Sequence, residues 1–407
     1  MLQVNEARER LLSYFSPVQS EMIKFSDALG RVLSADIYAE QDSPGFSHSA
    51  MDGIAVRSAD ISTAGKGKPV PLKIVGKIAA GDHPGNRVGS GEGVLIMTGA
   101  MVPPGADAVV RVEDTDLDFS KEALPSEAQV VHPVSPGENI RIQGENYNKG
   151  SLILNAGEAL LPQDVGMLAM LGKETVSVYR QPRVGIFSSG DELIEPGNPL
   201  SEGQIWNSNS HMLSALVKSC GSQVVDLGIV ADTELDILSA FEQLIEAKVD
   251  LIITSGGVSM GVHDYVRKVI EKHGKLDFWK VNMRPGKPLA FGKYKGTQFV
   301  GLPGNPVSSF VAYTIFVCPA IMRLAGKREE NERIEKAVIE TDFFSDGRES
   351  YLPGTWKVKG KQLRVTLTGN QSSGNLYALV QSNCLIKIPA GVQLLRRDSI
   401  VDIRKKY

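Results

Sequence analysis

The chain has 407 residues, of which 42% are hydrophobic and 22% charged, which supplies apolar material for several cores and excludes wholesale disorder. With 44 basic and 47 acidic residues the formal net charge is -3, so there is no polybasic footprint for nucleic acid or anionic lipid, and any anionic ligand must be met by a local site. The 41 glycines follow no Gly-X-Y period, which excludes a collagen-like chain and assigns the surplus to turns.

The N-terminal MLQVNEARERLLSYF is charged and reads as an amphipathic helix, not a signal peptide. A short strand is expected near 35–39. Short apolar runs at 54–56, 72–75, 94–97, 108–112 and 130–134, separated by Gly, Pro, Asp and Ser, predict a β-rich segment. A mixed strand and helix pattern returns over 150–174. From Arg183 the pattern becomes regular, with strands over 184–188, 224–229, 250–254, 278–281, 289–292 and 298–302. Helices are predicted over 209–219 with Gly221 as C-cap, and over 233–248 with Leu235, Leu238, Phe241, Leu244 and Ile245 as apolar residues. Two more are predicted over 264–273 and 306–324.

This alternation predicts a three-layer α/β domain with a mostly parallel sheet, whose strand carboxyl ends form one ligand-binding edge. The apolar run 310–322 contains Tyr313, Thr314 and Pro319, is too short to span a bilayer, and reads as a buried helix. A charged linker follows at 326–332, then short strands at 335–340, 354–358, 363–368, 385–388 and 400–403. The division expected is a discontinuous mixed α/β domain (1–44 and 139–178), a β-rich inserted domain (45–138), a Rossmann-like α/β domain (179–326) and a small C-terminal β domain (333–407). Cys220, Cys318 and Cys384 form no C-x-x-C pair, and the six histidines show no H-x-H or H-E-x-x-H spacing. A His/Cys metal site is therefore not expected, and a soluble, cytoplasmic protein in a reducing compartment is.

Glycines collect at three strand-to-helix turns: Ser188-Ser189-Gly190-Asp191-Glu192-Leu193, Thr254-Ser255-Gly256-Gly257-Val258-Ser259-Met260-Gly261, and Leu302-Pro303-Gly304-Asn305-Pro306-Val307-Ser308. Such turns aim backbone N–H groups and hydroxyls at one point, forming an anion nest at a helix N-terminus. None matches the P-loop or the dinucleotide fingerprint. Each alone is ordinary turn chemistry; three at one sheet edge converge in space. Carboxylates accompany them: Glu192, Asp232 and Asp264, with Asp52 at a further tight turn, Ser49-Ala50-Met51-Asp52-Gly53. Asp232 and Asp264 admit two readings, as N-caps of the following helices or as ligands of a Mg²⁺ that bridges to phosphate oxygens. Arg284-Pro285-Gly286-Lys287-Pro288 holds two cations on a proline-stiffened loop, either a solvated turn or an oxyanion clamp.

These motifs, in this order and together with Ile96-Met97-Thr98-Gly99-Ala100 and Asn139-Ile140-Arg141, resemble the molybdopterin molybdenumtransferase family (MoeA, and the E domain of gephyrin) over essentially the whole chain. The resemblance implies an enzyme that takes adenylylated molybdopterin and molybdate, inserts molybdenum at the dithiolene, and cleaves the pyrophosphate link with Mg²⁺ to release AMP. It implies an elongated homodimer, with the cleft between the α/β domain of one subunit and the β-rich domain of the other. Transient contacts with the adenylyltransferase and with molybdoenzyme-maturation proteins follow, and none with nucleic acid or membrane.

Carried over by position, Asp52 and Thr98 face the cleft from the second subunit, while Glu192, Asp232 and Asp264 are the acidic, metal-binding positions. Pro303 and Pro306 belong to the rigid turn, and Lys280, Arg284 and Lys287 to the basic cluster. Ser255, Gly256, Gly257, Ser259, Gly304, Asn305 and Ser308 are substrate-binding positions in the turns, and Arg348 and Ser373 help to place molybdate. Two departures stand out. Arg284 replaces a frequent Lys, and Ile142-Gln143 follow Arg141 where many members carry two more arginines. Two rival readings are the preceding adenylyltransferase step, which uses the same α/β domain alone, and a gephyrin-like scaffold.

Overall fold

A computed structural model describes residues 1–85, 87–118, 123–257, 264–328 and 334–405. The chain forms two compact units, one of residues 1–35, 156–169 and 173–407, the other of residues 36–155 and 170–172.

In the second unit, a five-stranded sheet runs in the order Ala108–Arg111, Gly53–Val56, Glu92–Ile96, Val70–Ile78, Glu127–Val130. Its short strands bury Ile54, Val56, Leu72, Ile74, Val110 and Val130 in one cluster. The expected fifth run, 130–134, is strand only up to Val130; its partner strand is used upstream, at 127–130. Gly53 permits the close pairing that fixes the Asp52 turn, since a Cβ there would lie 1.8 Å from the Val110 carbonyl oxygen.

The first unit contains the α/β layer. Its strands are β1 (Arg183–Ser189), β2 (Gln223–Val230), β3 (Leu251–Ser255), β4 (Lys275–Trp279), β5 (Ala290–Tyr294) and β6 (Thr297–Leu302). The sheet order is β2-β1-β3-β6-β5-β4, parallel across the first four, with β5 antiparallel to both of its neighbours. Along β1 the pleat sends Val184 and Ile186 into one core cluster and Phe187 into the other, so both faces are covered. The register sets Ser188 beside Ser255 and Ser255 beside Leu302. Three strands therefore end level, and their loops leave from one edge.

The helices are α1 (Asn209–Ser219), α2 (Glu234–Glu246), α3 (Tyr265–His273) and α4, which begins as Pro306–Ala312 and continues through a π-helical turn, Tyr313–Val317, into Cys318–Leu324. Two expectations need adjustment. Cys220 caps α1, and Gly221 is the left-handed residue just past it, with φ of 80°. On α2 the buried residues are Ile237, Ala240, Phe241 and Leu244, whereas Leu235 is exposed. Leu235 lies in the first turn, before the stripe engages the sheet. α4 is long and apolar enough to cross a membrane, but Val307, Val311, Phe316, Ala320 and Ile321 are packed in the core. Beneath it the thiols of Cys220 and Cys318 lie 3.6 Å apart, and Cys220 also meets the Tyr313 hydroxyl.

The C-terminal sheet runs Met283–Arg284, Glu349–Lys359, Gln362–Leu367, Ile334–Ile339, Ile400–Lys405, Cys384–Ile388, and Glu349–Lys359 pairs again with Cys384–Ile388, so five of the strands form a closed circuit. Met283–Arg284 belongs in sequence to the α/β layer, yet pairs in parallel with Glu349 and Ser350. That two-residue strand brings the basic loop of one layer beside Arg348 of the other.

Candidate active site

At the level ends of β1, β3 and β6 lies a cavity of about 650 Å³. It is lined by all three predicted turns (Ser189 and Gly190; Ser255, Gly256 and Gly257; Pro303, Gly304, Asn305 and Pro306) and by Glu192, Asp232 and Asp264. That volume suits a ligand of cofactor size. The glycines are needed. Gly256 has φ of 88°, and a Cβ on it would lie 2.4 Å from the Ser189 carbonyl oxygen. Gly257 has φ of 63°, and a Cβ on it would lie 2.7 Å from a Val266 methyl group. A larger residue would push the loops apart and block the backbone from the ligand.

The three carboxylates differ. Glu192 is exposed, at the mouth. Asp232 accepts a hydrogen bond from the Ser189 hydroxyl at 2.7 Å. The N-cap of α2 is Thr233, whose hydroxyl accepts from the Asp236 N–H, so Asp232 does not cap that helix. Asp264 stands before α3 but makes no side-chain cap. It is 5% exposed, and among the described residues neither carboxylate oxygen has a hydrogen-bond partner of good geometry, the Arg267 backbone N–H being a weak donor toward it. Burial pushes its carboxyl up to about 7, with the Arg267 backbone and guanidinium opposing and Asp232 adding to the rise. The Arg267 side chain is spent elsewhere, on Glu271 at 2.7 Å and over the Trp279 ring at 3.9 Å. A buried carboxylate without a partner beside anion nests is a group waiting for a cation or a proton.

A second cavity, of about 390 Å³, shares Pro288, Pro303 and Asn305 with the first. It is lined by Arg284, Gly286, Lys287, Ser308, Arg348, Ser372 and Ser373. Asn305 donates its amide to the Ser373 hydroxyl at 3.0 Å, and the Val307 N–H to the Ser373 carbonyl at 3.0 Å, locking the Pro-Gly-Asn-Pro turn to the C-terminal layer. One carboxylate, Asp346, sits between the arginines: Arg348 holds it at 2.5 Å and Arg284 at 3.9 Å. The Arg348 hydrogen bonds keep the Asp346 carboxyl below its ordinary range. Lys287 has no ion-pair partner among the described residues. The arrangement is a cradle of basic and hydroxyl side chains whose charge is partly neutralised from within.

Other predicted positions fall elsewhere. The Lys280 ammonium lies over the Trp279 ring at 4.3 Å and lines neither cavity. Ser259 is outside the described residues. Asp52 and Thr98 belong to the other compact unit, where Asp52 accepts from the Thr98 N–H at 2.7 Å and its hydroxyl at 2.8 Å. In the loop that departs from the family pattern, Arg141 pairs with Glu145 at 3.1 Å and Gln143 donates to Asp42 at 2.8 Å. Sequence reasoning missed Asp346 and Asn209. Asp346 lies two residues before Arg348, a spacing that carried no motif; Asn209 opens α1, where it reads as an ordinary first-turn residue.

The α/β layer thus carries a glycine-lined acidic cavity that adjoins a basic cavity completed by a C-terminal β layer. Residues 2–172 match the family model described as MoeA N-terminal region (domain I and II), residues 185–323 a probable molybdopterin binding domain, and residues 336–404 the MoeA C-terminal region (domain IV). The chain is 37% identical over 390 residues to the molybdopterin molybdenumtransferase of Haemophilus influenzae, covering 95% of this chain and 94% of that one. It is 36% identical over 383 residues to that of a Nostoc species, covering 92% and 86%. Its structure resembles the crystal structure of the molybdopterin biosynthesis MoeA protein from Pyrococcus horikoshii, with a TM-score of 0.87 at 30% identity, over 100% of this chain and 99% of that one. The chain belongs to the molybdopterin molybdenumtransferase family, a family of enzymes of molybdenum cofactor biosynthesis.

Proposed function

We propose that this enzyme transfers molybdenum from molybdate to the dithiolene of adenylylated molybdopterin and cleaves the pyrophosphate link, releasing AMP. The observation that carries the reading is the pair of adjoining cavities of opposite character that share Pro288, Pro303 and Asn305. The nucleotide and pyrophosphate suit the larger one, where the turns offer N–H donors; molybdate suits the cradle of Arg284, Lys287, Arg348 and Ser373. Water supplies the oxygen that breaks the P–O–P bond. One molybdate oxygen leaves as water with the two thiol protons as two Mo–S bonds form, so molybdenum is not reduced. Ser255 and Gly304 line the larger cavity and Ser308 the smaller, and the proline-stiffened Pro303–Pro306 turn borders both.

A divalent cation fits the acidic wall. Glu192, Asp232 and Asp264 offer hard oxygen donors, and among the described residues the buried oxygens of Asp264 have no hydrogen-bond partner of good geometry. Among the described residues no three such groups form a ready cage. A Mg²⁺ there would take one or two of these carboxylates and complete its shell with water and substrate phosphate. When bound it neutralises charge developing on the departing phosphate. Asp232, oriented by Ser189, is positioned to hold a water or a metal-bound ligand.

The proposal includes the four-part division of the chain, a homodimer in the cytoplasm, and Asp52 and Thr98 contributed from the second subunit. The test is incubation with adenylylated molybdopterin, Mg²⁺ and molybdate. AMP release that depends on molybdate supports the reading; in a parallel incubation with ATP and molybdopterin, net adenylylation would overturn it in favour of the adenylyltransferase step. Mixing Asp52→Ala with Asp264→Ala subunits recovers activity if the cleft is built across the dimer, and stays inactive if each subunit is self-sufficient.

A further inference from the structure

Asn209 opens α1 and is 8% exposed, yet it lines the larger cavity. Its amide nitrogen donates to the Ser255 hydroxyl at 2.8 Å and to the Gly304 carbonyl at 2.7 Å. The Gly304 carbonyl can only accept, so the nitrogen must face it, and the amide orientation is fixed chemically. Both N–H donors are then used in tying the β3 and β6 turns to the start of α1. The Oδ1 atom is left buried with two lone pairs and, among the described residues, no hydrogen-bond partner.

A buried acceptor at a cavity wall selects for a donor. Phosphate and molybdate present acceptor oxygens at neutral pH and would be repelled. The same cavity carries an apolar side formed by Leu193, Ile205, Trp206 and Leu376. A planar heterocycle with a ring N–H or exocyclic amine satisfies both features. We propose that Asn209 Oδ1 accepts such an N–H and is a specificity-determining residue for the aromatic end of the substrate. This rests on the substrate reading above, in which both the pterin and the adenine carry amines.

The test is isothermal titration of wild-type and Asn209→Ala protein with three ligands: AMP, purine riboside 5′-monophosphate (which lacks the amine) and molybdopterin. If adenine is the donor, the wild type prefers AMP over the amine-free analogue by about tenfold, and the variant loses that preference. If the pterin is the donor, the two nucleotides bind alike throughout, and molybdopterin binding weakens about tenfold in the variant. Either result supports the assignment, because loosening the loops alone would not change a ratio between ligands that differ by one amine, nor weaken one heterocycle and spare the other. Unchanged discrimination and unchanged molybdopterin affinity overturn it. Should the alanine protein prove unstable, Asn209→Ser is measured in its place, with the same outcomes decisive. A wild type that binds neither AMP nor molybdopterin overturns the substrate reading itself, and this assignment with it.

Discussion

The two cavities solve opposite electrostatic problems in opposite ways. Among the described residues the acidic wall leaves its most buried carboxylate, Asp264, without a side-chain partner, while the basic cradle keeps its arginines occupied by an internal carboxylate, Asp346. A lone buried charge is costly and is released by a ligand of the other sign; a paired one is comfortable but must give up its partner when the ligand arrives. Under the proposed function the acidic side would depend on a cation or proton, and the basic side would exchange a small anion.

The comparison can be broken most directly at Asp264. Asp264→Ala is expected to slow molybdate-dependent AMP release by about 100-fold or more, read as kcat with saturating substrate. A wild-type rate would remove that residue from the mechanism. Next in size, Arg348→Ala should raise the molybdate concentration for half-maximal rate by about 10- to 100-fold, with little effect on AMP binding. An equal loss in both would mean that the cradle is not a separate anion site.

Asp346→Asn should act in the other direction. Without its charge, Arg284 and Arg348 are released to the incoming oxyanion, and the molybdate requirement should fall about two- to fivefold. A rise instead would mark Asp346 as a scaffold for the arginines rather than a competitor. At Gly257 the left-handed backbone and the approach of Val266 predict that Gly257→Ala costs about 1–3 kcal/mol of stability, measured by denaturant unfolding.

The subtlest difference is in pH. The Asp264 carboxyl is raised from 3.8 to about 7 in the folded protein. Below about pH 4 it is neutral in both folded and unfolded chains and carries no penalty. As pH rises the unfolded chain loses its proton first, so the fold loses stability until about pH 7, beyond which the penalty is complete. Asp264→Asn lacks this loss. Its stability advantage over wild type in magnesium-free buffer should be small at pH 5 and larger at pH 8. An advantage independent of pH would contradict the burial argument.

Much of this architecture was legible in the linear sequence. The strand and helix order of 183–324 follows from periodicity, because each element's burial pattern is local: alternation along a strand, a 3.6-residue stripe along a helix. The three glycine turns were equally legible, since left-handed φ and close backbone approach leave few other residues possible. They also carry the resemblance to the family, together with the Pro285-Gly286-Lys287-Pro288 run and the acidic positions, while Arg284 departs from it.

Only the tertiary structure decided the rest. That Asp264 is an unpartnered carboxylate rather than a helix cap depends on what packs over it, and a sequence cannot tell a satisfied N-cap from an orphan. That Asn209 ends with a spare acceptor depends on Ser255 and Gly304, 46 and 95 residues away. That Arg284 and Arg348 share Asp346 depends on a two-residue strand joining one layer to the next. Local periodicity determines which elements form, but the charge state and the free valence of a site are set by neighbours that arrive from elsewhere in the chain.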